Sequence, residues 1–194
     1  MKVVGLTGGI GSGKTRIAKS FEALGIPIYI ADVEAKKLTE RSTFIKKKLI
    51  ALLGPKTYNA SGLNRAYVAN KIFTNKELLE KVNAIIHPRV GQHFNRWKKK
   101  QKDAPYCIKE AAILFENGGY KHCDATILVT APKEMRIQRV TERDTTSRDA
   151  IESRMSNQWE DIEKIPLATY VIENIHWDDT QKAILQIHKK LLKL

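Results

Sequence analysis

The sequence predicts an α/β fold of three layers, a mainly parallel sheet covered by helices on both faces. Three observations lead there. Short apolar runs alternate with stretches of helical periodicity along most of the chain, the pattern of strands whose crossover helices bury both faces of a sheet. The first run, residues 3–6, ends in glycines and is followed by a helical stripe, which gives the order strand, tight loop, helix. The 194 residues, 42% of them hydrophobic, can bury a substantial core in one compact domain, whereas a second independent domain would be cramped.

The elements follow in order. After the first strand, Ile17, Phe21 and Leu24 recur at helical spacing and Gly25 stops the helix. Residues 26–31 read as a second strand with Asp32 at its carboxyl end. A helical region containing Lys46-Lys47-Lys48 then runs to Gly54-Pro55, and the polar stretch 59–62 marks a loop. Thr74 and Glu77 have capping-box spacing, and Leu78, Val82, Ile85 and Ile86 continue a helical stripe. His87-Pro88 should end or kink that helix, because proline cannot donate the next bond; Val90, Phe94 and Trp97 resume the stripe. Beyond Lys98-Lys99-Lys100, strands return at 106–114 and 125–130. Pro132 suits the first turn of a helix reaching about Arg143. A last strand around 170–172 leads to a helix with Asp178 as N-cap and Ile184, Ile187 and Leu191 on its buried side. The block 33–103 interrupts the alternation and reads as a helical insertion over the carboxyl edge of the sheet. The expected organisation is a single domain with its core at about 1–32, 104–140 and 165–194, the helical region at about 33–103 and a lid at about 141–164.

Composition narrows the function. Lys and Arg number 34 against 21 Asp and Glu, a formal charge of +13, so the expected partners are anionic: a polyphosphate nucleotide, an acidic coenzyme or a nucleic acid. Cys107 and Cys123 show neither C-x-x-C spacing nor accompanying histidines and read as reduced core thiols. The apolar start is too short for a secretory signal and no apolar run approaches membrane-spanning length, so a cytoplasmic protein is expected.

The loop after the first strand carries the strongest chemical signal. Gly8-Gly9-Ile10-Gly11-Ser12-Gly13-Lys14-Thr15 fits G-x-x-x-x-G-K-[ST] without a mismatch and lies between strand and helix. Glycines let backbone N–H groups turn inward on a triphosphate, Lys14 adds a mobile charge for the outer phosphates, and the Thr15 hydroxyl stands where this motif ligands Mg²⁺. The competing account is a glycine-rich turn with a chance Lys-Thr. Asp32 at a strand end can reach an acceptor hydroxyl and take its proton, or simply cap the helix that follows. Arg139, Arg143, Arg148 and Arg154 crowd a stretch poor in apolar residues; they can close over phosphates and exclude water, or form salt bridges with Glu142, Asp144, Asp149 and Glu152 on a solvated surface. In the helical block, Arg65, Arg89 and nearby lysines beside apolar stripes suit an acceptor with a diphosphate and a long, weakly polar arm. Arg65 is the preferred phosphate contact; a surface arginine is the alternative. His87, beside Pro88, is either a structural hydrogen-bonding residue or a substrate contact.

These residues together resemble the dephospho-coenzyme A kinase family over nearly the whole chain. The segments are "GLTGGIGSGKT", Asp32, "LNRAYVANKIF", "IIHPRV", "ILFENGGY", the stretch from "RVTERD" to "SNQ", and "YVIEN" with Asn174. The resemblance implies a P-loop kinase fold with a helical substrate region and an Arg-rich lid. It implies transfer of the ATP γ-phosphate to the ribose 3′-hydroxyl of dephospho-coenzyme A, with Mg²⁺, as the last step of coenzyme A synthesis. By position, Asp32, Lys14, Arg139 and Arg143 match catalytic residues. Gly8, Gly9, Gly11, Ser12, Gly13, Lys14, Thr15, Arg16, Arg148 and Arg154 fall on the ATP side, with Thr15 toward the metal, while Thr7, Asp32, Arg65, His87, Arg89 and Glu116 fall on the acceptor side. The implied partner is the small molecule, with no nucleic acid or membrane and a monomer or weak homo-oligomer. Three positions depart from the family pattern: Ile30 replaces the first Asp of an Asp-x-Asp, Ala112 a proline, and Thr169 an aspartate. The rival functions are a nucleoside or nucleotide kinase, which shares loop and lid; a non-catalytic nucleotide-binding regulator; and a nucleic-acid-binding ATPase. The last rests on Lys46–Lys48 and Lys98–Lys100, which lack interleaved aromatics.

Overall fold

A computed structural model describes residues 1–73, 75–101 and 103–194, and of Phe73 the backbone only. The chain forms two compact units, one of Met1–Ile30 with Gln101–Leu194 and one of Ala31–Lys100.

The first unit carries β1 (Lys2–Gly8), α1 (Lys14–Ala23) and β2 (Ile28–Ile30) from its N-terminal part. The second unit supplies α2 (Ala31–Arg41), α3 (Thr43–Leu53), β3 (Tyr58–Asn59), β4 (Gly62–Leu63), α4 (Arg65–Phe73) and α5 (Lys76–Lys99). The first unit then resumes with β5 (Tyr106–Glu110), β6 (Ala125–Thr130), α6 (Lys133–Asp144), α7 (Arg148–Met155), α8 (Asp161–Lys164), β7 (Tyr170–Glu173) and α9 (Trp177–Leu191).

In the first unit a five-stranded sheet has the order β2-β5-β1-β6-β7, and every paired strand in it is parallel. Val4 stands opposite Ile108 on one side and Ala125 on the other. Alternation along β1 sends Val4 and Leu6 into a cluster with Ile17, Ala18 and Phe21 of α1 and Ile184, Ile187 and Leu191 of α9. On the opposite face a Cβ at Gly5 would run into Leu114 and Cys123, so the chain after β5 covers that side closely. The connection after β1 leads toward β2, whereas the chain after β5 crosses to β6. The carboxyl ends of β1 and β5 therefore form a topological switch point, the place where open parallel sheets leave a crevice for ligands.

The second unit has its own core, in which Ile45, Leu49 and Leu53 of α3 meet Val68 of α4 and Val82 of α5. Tyr58 donates its hydroxyl to Thr39 O at 2.8 Å and Tyr67 to Leu53 O at 2.7 Å, which ties the small antiparallel hairpin β3–β4 and α4 to the helices.

Several local expectations are corrected. The second strand ends at Ile30, so Asp32 lies in the first turn of α2. Leu24 is exposed beside the C-terminus of α1. The long helical region is two helices, separated where Ser42 Oγ accepts from Ile45 N at 3.3 Å. Residues 59–62 close a hairpin. The cap of α5 is Asn75, whose Oδ1 accepts from Leu78 N at 2.9 Å, while Thr74 lies outside the described residues. Pro88 does not end α5, because the stripe on both sides of it, Val82, Val90 and Phe94, is buried and Pro88 itself is exposed. Packing of the buried face outweighs the one lost bond. The third strand stops at Glu110; Ala111, Leu114 and Phe115 are buried in a turn instead, a distinction that apolar runs do not carry. His176, not Asp178, occupies the N-cap of α9, and Asp178 sits in the first turn, where its charge favours the helix dipole.

Candidate active site

The connection from β1 to α1 is folded into a cradle by its glycines. Ser12 N donates to Gly9 O at 3.1 Å and Lys14 Nζ to the same carbonyl at 3.3 Å. Gly11, at φ 78°, runs so close to the backbone carbonyl of Arg136 that a Cβ has no room. Gly13, at φ 94°, caps α1 with its carbonyl, which accepts from Arg16 N at 3.0 Å and Ile17 N at 3.2 Å, and its bare Cα abuts Asn174 Nδ2. No side chain caps α1, and no acidic residue occupies its first turn. The Ser12 Oγ is buried with no hydrogen-bond partner. Glycines at positive φ, an uncapped positive helix end and an orphaned hydroxyl together make an anion-binding cradle.

Side chains from distant sequence hold that cradle. Asn174, 5% exposed, donates Nδ2 to Ser12 O at 2.8 Å and accepts at Oδ1 from Thr180 Oγ1 at 3.1 Å. Arg139 Nη2 donates to Asn174 O at 3.0 Å while its buried Nη1 has no hydrogen-bond partner, so this arginine is brought to the loop. Arg16 stacks its guanidinium on Trp177, 3.5 Å from the ring centroid. On the β5 side, Thr7 Oγ1 donates to Ala112 O at 3.5 Å, and Glu116 Oε1 accepts from Trp159 N at 3.2 Å. Since position 112 acts through its carbonyl, alanine in place of proline leaves this contact available. Thr169 likewise has a structural task, exchanging bonds with Thr126 of 3.0 and 2.9 Å.

Two of the other arginines of the predicted lid, Arg143 and Arg148, are bonded to carboxylates. Arg143 bonds Asp144 at 2.6 and 2.7 Å. Arg148 grips Glu134 at 2.7 and 2.8 Å and reaches Glu152 at 3.1 Å. The Glu134 hydrogen bond raises the Arg148 pKa, and the bond to Asp144 raises that of Arg143. Arg154 is exposed and its charge helps hold the Asp144 carboxyl below its ordinary range, after the larger effect of Arg143. Asp144 and Glu152 were both anticipated as partners; Glu134 was not.

Asp32, Arg65, His87 and Arg89 belong to the second unit. Asp32 is exposed, two residues beyond the end of β2. Arg65 pairs with Glu40 at 2.9 Å, and Glu40 also accepts from Leu63 N at 3.1 Å. Arg89 lies over the Phe44 ring at 3.7 Å and donates to Gln92 at 3.0 Å. His87 is exposed.

Sequence reasoning missed Arg136, Gln158 and Trp177. Arg136 is 9% exposed, packs against Gly9 and pairs with Asp161 at 3.5 Å; the buried Lys164 reaches the same carboxylate at 3.3 Å. Its phase in α6, one turn before Val140, was the available signal: an arginine on the buried face of an amphipathic helix needs a partner.

A family model described as Dephospho-CoA kinase matches residues 2–179. This chain belongs to the dephospho-CoA kinase family. Dephospho-CoA kinase of Bacteroides fragilis strain YCH46 is 37% identical over 171 residues, 88% of this chain and 83% of that protein. Dephospho-CoA kinase of Porphyromonas gingivalis is 39% identical over 158 residues, 81% of this chain and 78% of that protein. A solved protein of Thermus thermophilus superposes with a TM-score of 0.88 at 30% identity, covering 97% of this chain and 96% of its own. As a family member the chain is a kinase that uses a nucleotide, and the mainly parallel sheet and its phosphate loop are those of P-loop kinases. Among the described residues no helix is long and apolar enough to cross a membrane.

Proposed function

We propose that the chain transfers the γ-phosphate of ATP to the ribose 3′-hydroxyl of dephospho-coenzyme A, giving coenzyme A and ADP. The observation that carries this reading is the glycine cradle at the switch point, with its orphaned Ser12 hydroxyl, in a chain of this family. The amides of Gly11, Gly13, Lys14 and Thr15 bind the phosphates, while that of Ser12 closes the turn onto Gly9 O, and Lys14 leaves the Gly9 carbonyl for the outer ones. Asp32, exposed at the start of α2, accepts the proton of the acceptor hydroxyl. Arg139, beside the loop and with one buried nitrogen open, meets the charge that develops on the transferring group. Arg143 and Arg148 exchange carboxylates for phosphate oxygens, joined by the exposed Arg154, as residues 141–164 act as a lid and exclude water. Arg65, Arg89, His87, Thr7 and Glu116 hold the acceptor, with the whole helical region 33–103 as the acceptor-binding part.

Mg²⁺ fits the residues present. Thr15 is exposed in the first turn of α1, and no group of three or more His, Cys, Asp or Glu side chains among the described residues could hold a metal. In phosphate-loop enzymes the hydroxyl at this position is a protein ligand of Mg²⁺, which keeps nucleotide oxygens and waters around it. When bound, the metal offsets charge on the phosphates. We place the enzyme in the cytoplasm, without a nucleic-acid partner.

The test is ATP consumption with dephospho-coenzyme A, adenosine, AMP, and added DNA or RNA, with the new phosphate located by NMR. Transfer to the 3′-oxygen of dephospho-coenzyme A ahead of the others is expected. Faster transfer to adenosine or AMP, or a phosphate on another oxygen, would favour a nucleoside or nucleotide kinase.

A further inference from the structure

The peptide at the crown of the phosphate loop is gripped from behind by one side chain. Ile10 N donates to Gln158 Oε1 at 2.9 Å, so this amide is committed to a protein side chain. Gln158 Nε2 donates in turn to Ala112 O at 3.3 Å, the carbonyl that Thr7 Oγ1 also reaches. One primary amide thus spans the phosphate loop and the turn after β5. Gln158 is itself fixed at the end of α7, where its N–H donates to Met155 O at 2.9 Å. The neighbouring Trp159 N is held by Glu116, and the Arg136 guanidinium packs against Gly9. The Ile10 side chain packs on Ile137, Val140, Ile151 and Met155.

We propose that Gln158 is a positioning residue for the nucleotide. By satisfying the Ile10 N–H it fixes the orientation of the peptide between Gly9 and Ile10, and so aims the later amides at the phosphates before ATP arrives. A loop ordered in advance binds more tightly than one ordered on binding. The turn after β5 acts as the fixed post to which the loop is tied. Within residues 141–164 this makes the segment around Gln158 an anchor, while the exposed ion pairs of Arg143 and Arg148 belong to the part that exchanges partners. The proposal rests on the nucleotide-binding reading of the cradle but not on the identity of the acceptor.

The experiment compares the full-length protein with Gln158→Met, which keeps length and removes both hydrogen bonds, and Gln158→Asn, which keeps the amide on an arm too short to span both loops. ATP binding is measured calorimetrically without acceptor, alongside thermal unfolding and steady-state kinetics. Gln158→Met is expected to weaken ATP about tenfold, the scale of one lost hydrogen bond, and to raise the KM for ATP likewise while kcat at saturating ATP stays within about threefold. A purely structural tie would lower the melting temperature and the active fraction with the KM unmoved, and that result overturns the proposal. So does ATP affinity within about twofold of the parent. Should Gln158→Met fail to fold, Gln158→Asn is held to the same criteria. A parent that binds no ATP overturns the nucleotide reading and this proposal together, whereas a parent and a variant that bind equally overturn this proposal alone.

Discussion

The phosphate loop and the arginine-rich stretch are both positively charged devices, and they are built in opposite ways. The loop is held by buried or half-buried, neutral and short-range contacts: glycine backbone at positive φ, the 5%-exposed Asn174 on Ser12 O, and the half-buried Gln158 on Ile10 N. Arg143 and Arg148 are held by exposed carboxylates on their own or adjoining helices. Buried hydrogen bonds cost a full desolvation penalty when broken, whereas exposed ion pairs are worth little and exchange readily. The loop is therefore a fixed template, and the arginines are charges parked on replaceable partners. Arg139, touching the Asn174 carbonyl, belongs with the template.

Mutation can break this contrast from either side. The largest effect is expected for Lys14→Ala, with transfer falling below detection while circular dichroism and the melting profile stay those of the parent; equal turnover would remove the loop from the mechanism. Asp32→Asn should lower kcat by about 10²- to 10⁴-fold with ATP binding retained, as for loss of a general base. Unchanged turnover where chemistry limits the rate would leave Asp32 as a residue of the α2 first turn. Asn174→Ala tests the template from beneath. It leaves a buried strut unmade and should cost about 1–3 kcal/mol in denaturant unfolding, whereas a neutral result would show that the glycines hold the loop unaided.

Neutralising Arg143 or Arg148 should slow turnover by about 10- to 10²-fold, each more than it weakens acceptor binding, because developing charge is met in the transition state. The melting temperature should stay within error of the parent. A variant with normal turnover and reduced stability would reverse the distinction between template and parked charge. The smallest effect is the pH response of the pair. Arg143 holds the Asp144 carboxyl below its ordinary value. A depressed folded pKa contributes stability that is present above the unfolded value, about 4, and lost as pH falls through the folded one. The melting temperature of an Asp144→Asn variant should therefore lie below the parent's by a small, constant margin from pH 8 to 5, and the two should converge as pH falls below about 4.

Legibility in the sequence followed the range of the forces involved. The loop was readable because G-x-x-x-x-G-K-[ST] is contiguous and its backbone geometry is dictated residue by residue. Strand β6 and helix α6 were readable for the same reason, as an unbroken apolar run and an amphipathic stripe opened by Pro132. Asp32 was placed within a residue or two, although whether it ends a strand or starts a helix depended on where pairing with β5 stops. The apolar run after Glu110 looked like more strand, and only packing against Gly5 turned it into a buried loop that lends Ala112 O to the site. Continuity of α5 through Pro88 was decided by burial of Val82, Val90 and Phe94 on one face.

By itself, then, the sequence determined the alternation of the sheet strands with helices, the phosphate loop and the net positive charge, because periodicity, glycine backbone freedom and net charge are properties of the chain alone. Tertiary structure decided which polar side chains serve the loop. Arg136, Gln158, Asn174 and Trp177 lie far along the chain from the glycines, and each is a common residue whose only sequence signal is, for Arg136, its phase in a helix and, for Gln158 and Asn174, a place in the segments of the family resemblance. Their roles exist only because parallel pairing of β1 with β5 and β6 and the return of α9 against α1 bring their hydrogen-bonding atoms or rings to the same few ångströms of backbone or the adjoining first turn of α1. A hydrogen bond acts over about 3 Å, and no pattern in the sequence measures that distance.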